Sequence, residues 1–334
     1  MNSFGNKWTF TSFGESHGAA IGGVLDGVPA GLRIDFEMIR EELLRRKGVT
    51  GYGLPVRGKS LEDGSSSLQD ATLQKVGVSP RAVREPDEVE WLSGVIKSTE
   101  DRVQNTDLIT LGTPIGFIIR NKDARPEDYE WLKHTYRVGH ADKVYEQKYG
   151  IRDWRGGGRA SARETAARVV AGCIAKQELA QKGIEIRAEL IQVGAETKPE
   201  KFAETIAAYQ REGDSIGGII ECRIKGLPAG VGEPIFNKLQ AELAFAIMSI
   251  NACKGFEYGT GFGGVTQPGS AINAISGGIA GGISDGTEIV FRCVFKPTPS
   301  TPKAGVKGRH DACVATRAVP IVEAMTALTL IQLV

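Results

Sequence analysis

The sequence has little that would tie it to a membrane, a disulfide scaffold or nucleic acid. Its cysteines are scattered, with no C-x-x-C pair, which is typical of buried thiols in a reducing compartment: Cys173, Cys222, Cys253, Cys293 and Cys313. No run of about 18 uncharged apolar residues occurs, and the first residues lack the pattern of a signal peptide. Lys and Arg total 41 against 40 Asp and Glu, so no overall field attracts nucleic acid. We therefore expect a soluble, cytoplasmic protein with no nucleic-acid or membrane partner.

Glycine and histidine depart from ordinary usage in opposite directions. The chain has 43 glycines among 334 residues, well above the roughly 7% of an average protein, and many are clustered where backbone is able to approach a ligand closely. Histidine is scarce, and the four are His17, His134, His140 and His310. His134 is expected to be a surface residue, whereas the other three stand close to Ser, Arg or Asp.

Hydrophobic periodicity predicts a mixture of helices and strands. Asp35 is a predicted N-cap for a helix over 36–46. Further helices are predicted over 161–183, over 233–250 with Pro234 near the first turn, and over the buried C-terminal run 318–334. Strands are predicted at 20–27, 116–121, 184–194, 217–226 and 287–295. Segments near 48–80 and 97–110 are predicted as loop insertions because they show little periodicity.

One stretch is echoed later in the chain. Residues 22–43 and 217–243 both read as a strand, a Gly-x-Pro-Ala-Gly turn and an amphipathic helix. The alternative is that Pro-Ala-Gly is merely a common loop string. The fuller interpretation is an α+β protein with pseudo-duplicated halves, a β-α-β sandwich in which two antiparallel sheets enclose a helical layer. Strands with one wet face suit that arrangement better than a parallel sheet.

The stretch Gly14-Glu15-Ser16-His17-Gly18 matches the G-x-S-x-G pattern of a serine hydrolase. A nucleophile elbow needs a strand before it and a helix after it, but here the next residues predict a strand. The context therefore disfavours Ser16 as a nucleophile. The other interpretation is that Ser16 and His17 are polar groups aimed at a ligand by a glycine-flanked turn.

Two further regions predict anion binding. Consecutive glycines at 156–158 open a predicted helix, where unpaired N–H groups and the positive dipole end attract anions. Five arginines crowd around them: Arg152, Arg155, Arg159, Arg163 and Arg168. The second region spans 276–286, 295–303 and 308–317, with Lys296, Thr298 and Ser300 as phosphate donors. It matches neither a P-loop nor a dinucleotide fingerprint, and no metal-ligand spacing is present, so no metal is expected.

Three stretches, in order, carry a resemblance to a known family: FGESHG at 13–18, GGGRASARETAARVVAG at 156–172 and GRHDACVATRAVPIVEAM at 308–325. They resemble the signature regions of the chorismate synthases, and the likeness runs from about residue 3 to the C-terminus as one catalytic domain, 1–334. The resemblance implies a lyase of the shikimate pathway with a β-α-β sandwich fold and a homotetrameric assembly. That enzyme removes phosphate and a ring proton from 5-enolpyruvylshikimate 3-phosphate in an anti-1,4-elimination, giving chorismate. Reduced FMN is required and is not consumed.

The resemblance also implies roles for particular residues. His17, with Ser16 beside it, would protonate or hydrogen-bond the departing phosphate, and His140 would protonate the reduced flavin. Asp311, aided by Ser161, would assist removal of the ring proton. The implied FMN contacts are Arg159, Ala160, Ser161, Asn251, Ala252, Gly281, Lys296, Thr298, Ser300 and Arg309. The implied partners of the substrate anions are Arg46, Arg137 and Arg317.

The chain departs from the family pattern at several points. Ala160 replaces a usual serine, and Val138 and Ala312 replace usual prolines. A second substrate arginine would be Arg57, Arg81 or absent, and the loops after residues 270 and 300 are shorter than usual. Two alternatives to the lyase stay open: a non-catalytic flavin- or phosphate-binding relative, and a serine hydrolase that uses Ser16.

Overall fold

The computed structural model describes residues 1–48, 84–97, 108–272, 276–306 and 310–334. Its strands are β1 (Ser3–Phe4), β2 (Thr9–Phe13), β3 (Ala20–Asp26), β4 (Arg33–Ile34), β5 (Val89–Trp91), β6 (Val95–Lys97), β7 (Leu108–Thr110), β8 (Ile115–Arg120), β9 (Glu185–Val193), β10 (Gly218–Lys225), β11 (Cys253–Tyr258), β12 (Ile279–Ala280), β13 (Ile283–Ser284) and β14 (Ile289–Phe295). Its helices are α1 (Phe36–Arg46), α2 (Asp142–Tyr149), α3 (Thr165–Gln181), α4 (Phe202–Arg211), α5 (Leu239–Met248), α6 (Gly269–Ile272) and α7 (Ala315–Leu330).

The strands form several antiparallel sheets. One sheet has the order β1-β2-β3-β8-β5 and another the order β11-β14-β10-β9, with smaller sheets β4-β7-β6 and β12-β13. Every second residue of β14, from Ile289 to Phe295, is buried, so this strand turns one face to the core. The structure is therefore a mixed helix and sheet protein.

Helices α3 and α7 pack along each other in the middle of the core. Helix α7 also packs on β9 and β10, and helix α3 packs on β2 and β3, while α1 contacts both helices. Most residues of α3 and α7 are buried on every side of the helix, including all residues from Pro320 to Leu330. A helix that is apolar all round belongs in the interior, which confirms the predicted buried C-terminal helix. None of the helices described is long and apolar enough to cross a bilayer.

Most predicted elements are confirmed, and two helix starts were wrong. The side chain of Asp35 accepts a hydrogen bond from the Met38 N–H at 3.0 Å, as an N-cap does. Helix α3 begins at Thr165 rather than at 161, because two short 3-10 turns occupy 158–160 and 162–164. Helix α5 begins at Leu239, since Asn237 has a left-handed backbone with φ 59° that helical geometry excludes.

The loop insertion predicted near 97–110 was wrong at both of its ends. Lys97 ends strand β6, and Leu108–Thr110 forms strand β7, which pairs with both β4 and β6. Three residues are too few for a periodic signal, so the pattern could not reveal this strand. Residues 98–107, and the predicted insertion 48–80 beyond Gly48, lie outside the described residues.

The two Pro-Ala-Gly turns, at 29–31 and 228–230, are held by the same pattern of hydrogen bonds. In the first, the Thr110 hydroxyl donates to the Pro29 carbonyl at 2.6 Å and accepts from the Leu32 N–H at 2.9 Å. In the second, the Ser284 hydroxyl donates to the Pro228 carbonyl at 2.6 Å and accepts from the Val231 N–H at 2.9 Å.

The two ends of the chain are joined by one side chain. Gln332 accepts hydrogen bonds from the backbone N–H groups of residues 6, 7 and 8 at 2.8, 2.9 and 3.2 Å. Its amide also donates to the Trp8 carbonyl at 2.7 Å. Strand β2 follows directly, so the last turn of the chain fixes the start of this strand.

Candidate active site

Ser16 and His17 lie in the loop between strands β2 and β3. These strands are antiparallel neighbours, so the loop joins a hairpin and no helix follows it. Both side chains are buried, with relative exposures of 1% and 4%. The geometry of a nucleophile elbow is therefore absent here, which agrees with the sequence context. The ring of His17 packs edge-on against Tyr129, with ring centroids 4.8 Å apart.

The glycine string 156–158 lies against both predicted proton-handling histidines. An added Cβ at Gly156 would stand 2.2 Å from Nδ1 and Cε1 of His17, and one at Gly157 would stand 2.6 Å from Cε1 of His140. Both contacts are far closer than any side chain permits, and both glycines have positive φ angles of 63° and 85°. The Gly158 carbonyl also accepts from the Ser16 N–H at 3.3 Å. The string is therefore a spacer between His17 and His140.

His140 is held by a carboxylate and an arginine. Its Nδ1 lies 2.8 Å from Oδ1 of Asp142, the first residue of helix α2. The Arg137 fork donates to the same carboxylate, from Nη2 to Oδ1 at 2.8 Å and from Nε to Oδ2 at 2.9 Å. Burial raises the pKa of the Asp142 carboxyl, but hydrogen bonds from Arg137 and His140 outweigh it and hold this pKa far below its usual range. Asp142 is therefore a carboxylate at any working pH.

The arginines around the glycines are not five free charges. Four of them pair with carboxylates: Arg152 with Glu146, Arg155 with Asp153, Arg163 with Asp87, and Arg168 with Glu164. Arg159 instead donates to uncharged oxygens, the hydroxyl of Ser12 at 2.6 Å and the carbonyl of Gly14 at 3.4 Å. Of the five, Arg159 therefore keeps the charge best suited to an anion.

Arg46 and Arg317 line a small cavity together with Asn251 and the 162–165 turn. Arg46 is 2% exposed and donates to Asp87, Thr165 and two backbone carbonyls. Arg317 donates to Oδ2 of Asp311 at 2.6 Å and to the Arg46 carbonyl at 3.1 Å. Burial lowers the pKa of Arg46, and the nearby positive charge of Arg317 adds to that effect. Both guanidinium groups are paired with carboxylates, Arg46 with Asp87 and Arg317 with Asp311.

The second predicted anion region approaches the first through its 297–300 loop. A Cβ at Gly139 would stand 2.6 Å from Cβ of Pro299, so this loop touches the segment that carries His140. Burial and the charge of Arg137 lower the pKa of His310 below its ordinary value. Lys296 lies beside Asn251, since its N–H donates to the Ala252 carbonyl at 3.0 Å, and Ala252 has a positive φ of 67°. Thr298 accepts at its carbonyl from the Ser215 hydroxyl at 2.7 Å.

Three buried polar atoms in this region have no hydrogen-bond partner in the structure: Asn251 Oδ1, Ser300 Oγ and His310 Nε2. A buried polar atom without a partner costs about 1–3 kcal/mol, so such atoms mark a place for a polar ligand. The Asn251 amide also donates to the Ala160 carbonyl at 3.2 Å, next to Ser161. The hydroxyl of Ser161 accepts from the Arg163 N–H at 3.3 Å. These residues fit a polar organic cofactor that carries phosphate.

Not every predicted residue joins this group. Gly281 lies at the exposed tip of the β12–β13 hairpin, and its neighbour Gly282 contacts Glu233 and Lys238. His134 is exposed, as expected. Arg309, Arg57 and Arg81 lie outside the described residues.

Sequence reasoning missed Asp142, Asp87, Ser12 and Tyr129. Asp142 could have been identified from the sequence, because an acidic residue two positions after a histidine and at a helix start is well placed to hydrogen-bond the histidine ring. Asp87 could not have been identified in this way. It accepts hydrogen bonds from Arg46 and Arg163, which lie far from it in the chain. Burial raises the pKa of its carboxyl, but Arg163 and Arg46 outweigh burial and hold this pKa below its ordinary value.

Comparisons with known proteins agree on one family. The model of the chorismate synthase family matches residues 8–334. A chorismate synthase of Phocaeicola vulgatus is 44% identical over 99% of this chain and 97% of its own length. One of Christiangramia forsetii is 44% identical over 98% of this chain and 96% of its own. A crystal structure of chorismate synthase superposes with a TM-score of 0.71 at 27% identity, covering 99% of this chain and 92% of that one.

A mixed helix and sheet scaffold that brings His17, His140 and Arg137 against one glycine string is the setting of an anion-handling enzyme. The chain belongs to the chorismate synthase family, a family of lyases. The alignment with the Phocaeicola relative spans 385 positions against 334 residues here. That relative therefore carries residues that this chain lacks.

Proposed function

We propose that this protein eliminates phosphate and a ring proton from 5-enolpyruvylshikimate 3-phosphate to give chorismate, with reduced FMN as a cofactor that is not consumed. One observation carries the proposal: the buried His17 and the half-buried His140 contact neighbouring residues of one glycine string. Histidine is the side chain that exchanges protons near neutral pH, and Nη2 of Arg137 lies 3.1 Å from the His140 ring. The substrate carries two carboxylates and a phosphate, which arginine side chains are well suited to bind.

The residues fit FMN in chemistry. Arg159, Lys296, Thr298 and Ser300 offer donors to a phosphate and a ribityl chain, and Ser300 Oγ and Asn251 Oδ1 are buried without partners. Ala160, Ser161, Ala252 and Arg309 are further proposed FMN contacts. Gly281 is also proposed as a contact, from the exposed tip of the β12–β13 hairpin. When bound, the reduced flavin supplies transient electron density that helps phosphate to leave. Flavin use is common to the family, and FMN in particular is our proposal.

The protein's own side chains manage the protons and the anions. His17 donates a proton or a hydrogen bond to the departing phosphate, and the buried Ser16 orients this contact. His140 holds a proton at Nε2 on the side of Gly157. Asp311 and Ser161 assist removal of the ring proton, and Arg317 fixes the Asp311 carboxylate at 2.6 Å. Arg46, Arg137 and Arg317 supply positive charge to the substrate anions.

Anaerobic turnover tests the proposal. The enolpyruvyl substrate is incubated with dithionite-reduced FMN and the wild-type protein, and phosphate release is followed. We expect release that requires reduced flavin and that falls at least tenfold in His17→Ala and in His140→Ala, the low end of what positioned proton transfer contributes. His134→Ala is the matched control, because His134 is exposed, and it should keep the wild-type rate.

Two other outcomes would redirect the assignment. FMN binding without any phosphate release would favour a non-catalytic flavin-binding relative. Labelling of Ser16 by a fluorophosphonate would favour a hydrolase, although its hairpin loop lacks the geometry of a nucleophile elbow.

The finer architecture is also proposed. We infer a single domain, 1–334, built as a β-α-β sandwich in which helices α3 and α7 lie between the β1-β2-β3-β8-β5 and β11-β14-β10-β9 sheets. The contacts of α3 with β3 and of α7 with β9 and β10 support this arrangement. The pseudo-duplication of the halves is supported by the matching turns at Thr110 and Ser284, whose four hydrogen bonds agree within 0.1 Å.

We further propose a homotetramer. Several large apolar side chains are exposed in the single chain: Ile235 at 69%, Phe236 at 85%, Phe245 at 67%, Phe262 at 84% and Val265 at 88%. Exposed apolar side chains of this size are typical of surfaces that are covered in an assembly.

A further inference from the structure

We propose that Asp142 is a positioning residue which fixes the tautomer of His140, so that Nε2 is the nitrogen that exchanges the proton. This inference rests on the proposed function for its chemistry, but the geometry that carries it does not. It concerns a residue outside the set of catalytic and binding positions assigned above.

The first step is the contact between the ring and the carboxylate. Nδ1 of His140 lies 2.8 Å from Oδ1 of Asp142. A carboxylate oxygen only accepts hydrogen bonds. If Nδ1 were unprotonated, its lone pair would face a lone pair of the oxygen with no hydrogen between the two atoms. A protonated Nδ1 donates instead, and a bond to a charged acceptor is strong. The neutral ring therefore carries its hydrogen on Nδ1.

The second step weighs the competing arrangement, a hydrogen bond from Arg137 to an unprotonated Nδ1. Nη2 of Arg137 lies 3.1 Å from this Nδ1. Oδ1 of Asp142 lies closer to both groups, 2.8 Å from Nδ1 and 2.8 Å from Nη2, so the carboxylate is the nearer partner of the ring nitrogen. The backbone N–H and Nε of Arg137 donate to Oδ2 at 3.1 and 2.9 Å. The arginine is thus anchored on the carboxylate, and the ring shares that carboxylate with it.

The third step concerns the negative charge of Asp142, which has to persist throughout the reaction. Asp142 is 3% exposed and is the first residue of helix α2, where the positive end of the helix dipole favours a negative side chain. Because Arg137 is charged at every working pH, the carboxylate keeps a counterion throughout the reaction. The partner of Nδ1 therefore stays an acceptor, and the tautomer does not change with the state of the substrate.

The consequence is a direction for proton exchange. With Nδ1–H bound to Asp142, the proton that His140 gains or loses is carried by Nε2. A Cβ at Gly157 would stand 3.1 Å from Nε2, so this nitrogen lies beside the glycine string. The proton passes between Nε2 and whatever group lies over Gly157, while the Nδ1 hydrogen stays in place.

Asp142→Asn tests this assignment by NMR and by kinetics. Histidine is labelled with ¹⁵N, and long-range ¹H–¹⁵N spectra of the protein without substrate report which ring nitrogen bears the proton. With four histidines in the chain, each ring is assigned from one His→Ala spectrum. We expect Nδ1–H in the wild-type neutral ring of His140, and a mixture or Nε2–H in Asp142→Asn. In turnover, we expect kcat to fall about 10²-fold with little change in KM.

Matched variants separate positioning from folding. Glu146→Gln removes a carboxylate from the same helix, where it pairs with Arg152, and it should alter neither the tautomer nor kcat. Arg137→Lys breaks the fork but leaves the carboxylate, and it should keep Nδ1–H on His140. A His140 tautomer that is the same in Asp142→Asn as in the wild type would overturn the inference, and so would an unchanged kcat. If the wild type itself shows no turnover, the proposed function fails while the tautomer result still decides this inference.

Discussion

At the scale of single residues, the site depends on two glycines that carry no functional group. Gly156→Ala would place a methyl group 2.2 Å from the His17 ring, so the ring must leave its present position. We expect phosphate release to fall at least tenfold, as for loss of a positioned proton donor. Single-turnover phosphate assays would measure the effect. Gly157→Ala should act in the same way through His140 and Arg137.

Gly150→Ala is the control for backbone strain. Gly150 has a φ of 72°, close to the 63° of Gly156, but an added Cβ there meets nothing within 4 Å. Gly150→Ala should lose about 1 kcal/mol of unfolding free energy from backbone strain alone. Gly156→Ala should lose at least as much, and only this variant should lose activity. Equal activities in the two variants would show that His17 does not need its contact with the string.

Replacing Ser300 should change the stability of the flavin-free protein and its affinity for FMN in different directions. Its hydroxyl is buried and has no hydrogen-bond partner in the structure. Ser300→Ala removes this unsatisfied group, so the melting temperature of the flavin-free protein should stay the same or rise. The affinity for FMN should fall about tenfold, because the variant loses one donor to the cofactor. Thermal melts and fluorescence titration with FMN would measure both effects.

Ser215→Ala is the comparison for Ser300. Its hydroxyl already donates to the Thr298 carbonyl at 2.7 Å, so this substitution should lower the melting temperature. If Ser300→Ala lowers the melting temperature just as much, then its hydroxyl has a partner in the free protein.

At the scale of elements, helices α1, α3 and α7 are joined by a buried cluster of charges. Glu323 accepts two hydrogen bonds from Arg45 and one from Lys176, and Glu42 binds the same two cations. Burial raises the pKa of Glu323, but Lys176 and Arg45 outweigh it and lower this pKa to about 2. The cluster is therefore charged at neutral pH and ties three core helices together.

Glu323→Gln should destabilise the fold by about 3 kcal/mol at pH 7, since it leaves buried positive charge uncompensated. A carboxyl whose pKa is lowered on folding contributes stability above its ordinary pKa near 4.5 and loses it as the pH falls toward 2. The difference between wild type and variant should therefore shrink in acid. Urea unfolding at pH 7 and at pH 3 would measure this change.

Glu37→Gln serves as the reference for this cluster. Its partner Arg40 lies on the same helix, and both side chains are more than half exposed. Such a pair contributes about 0.5 kcal/mol or less. A loss in Glu323→Gln that is no larger, or that grows in acid, would contradict the role of the buried cluster.

The helices and strands also show which parts of the fold could be predicted from the sequence alone. Strands β9 and β10 were predictable because each alternates apolar and polar residues over most of its length. The start of helix α5 was not, since Pro234 suits a first turn and only the left-handed backbone of Asn237 excludes it. Strand β7 has three residues, and its pairing with two partners comes from the fold.

Part of the candidate site could likewise be predicted from the sequence, and part of it could not. His17 and His140 were predictable as partners because each stands in a recognisable motif. Their separation by Gly156 and Gly157 was not, because it depends on a contact between the β2–β3 loop and a segment 140 residues away. The five arginines looked like five free charges, and the carboxylates that pair with four of them come from several other parts of the chain.

At the scale of the whole molecule, exposed apolar side chains bear on the proposed assembly. Phe262 and Val265 lie in one short 3-10 turn, Gly261–Thr266, and are 84% and 88% exposed. A Phe262→Lys, Val265→Lys double variant should shift the protein toward smaller species in light scattering, because charges are disfavoured in the core of an interface. Leu92→Lys, at another exposed position of 63%, should not. A wild-type protein that runs as a single chain would remove the proposed tetramer.

The bonds of Gln332 to residues 6–8 have a consequence for how the molecule is made. Synthesis proceeds from the N-terminus, and the strand that leads into the Ser16–His17 loop emerges first. Its anchor, Gln332, is translated 326 residues after Asn6, so a nascent chain that has not yet reached Gln332 holds this strand without these hydrogen bonds. A nascent chain that stops before Gln332 should therefore lack a fixed start to strand β2, the strand that leads into the Ser16–His17 loop.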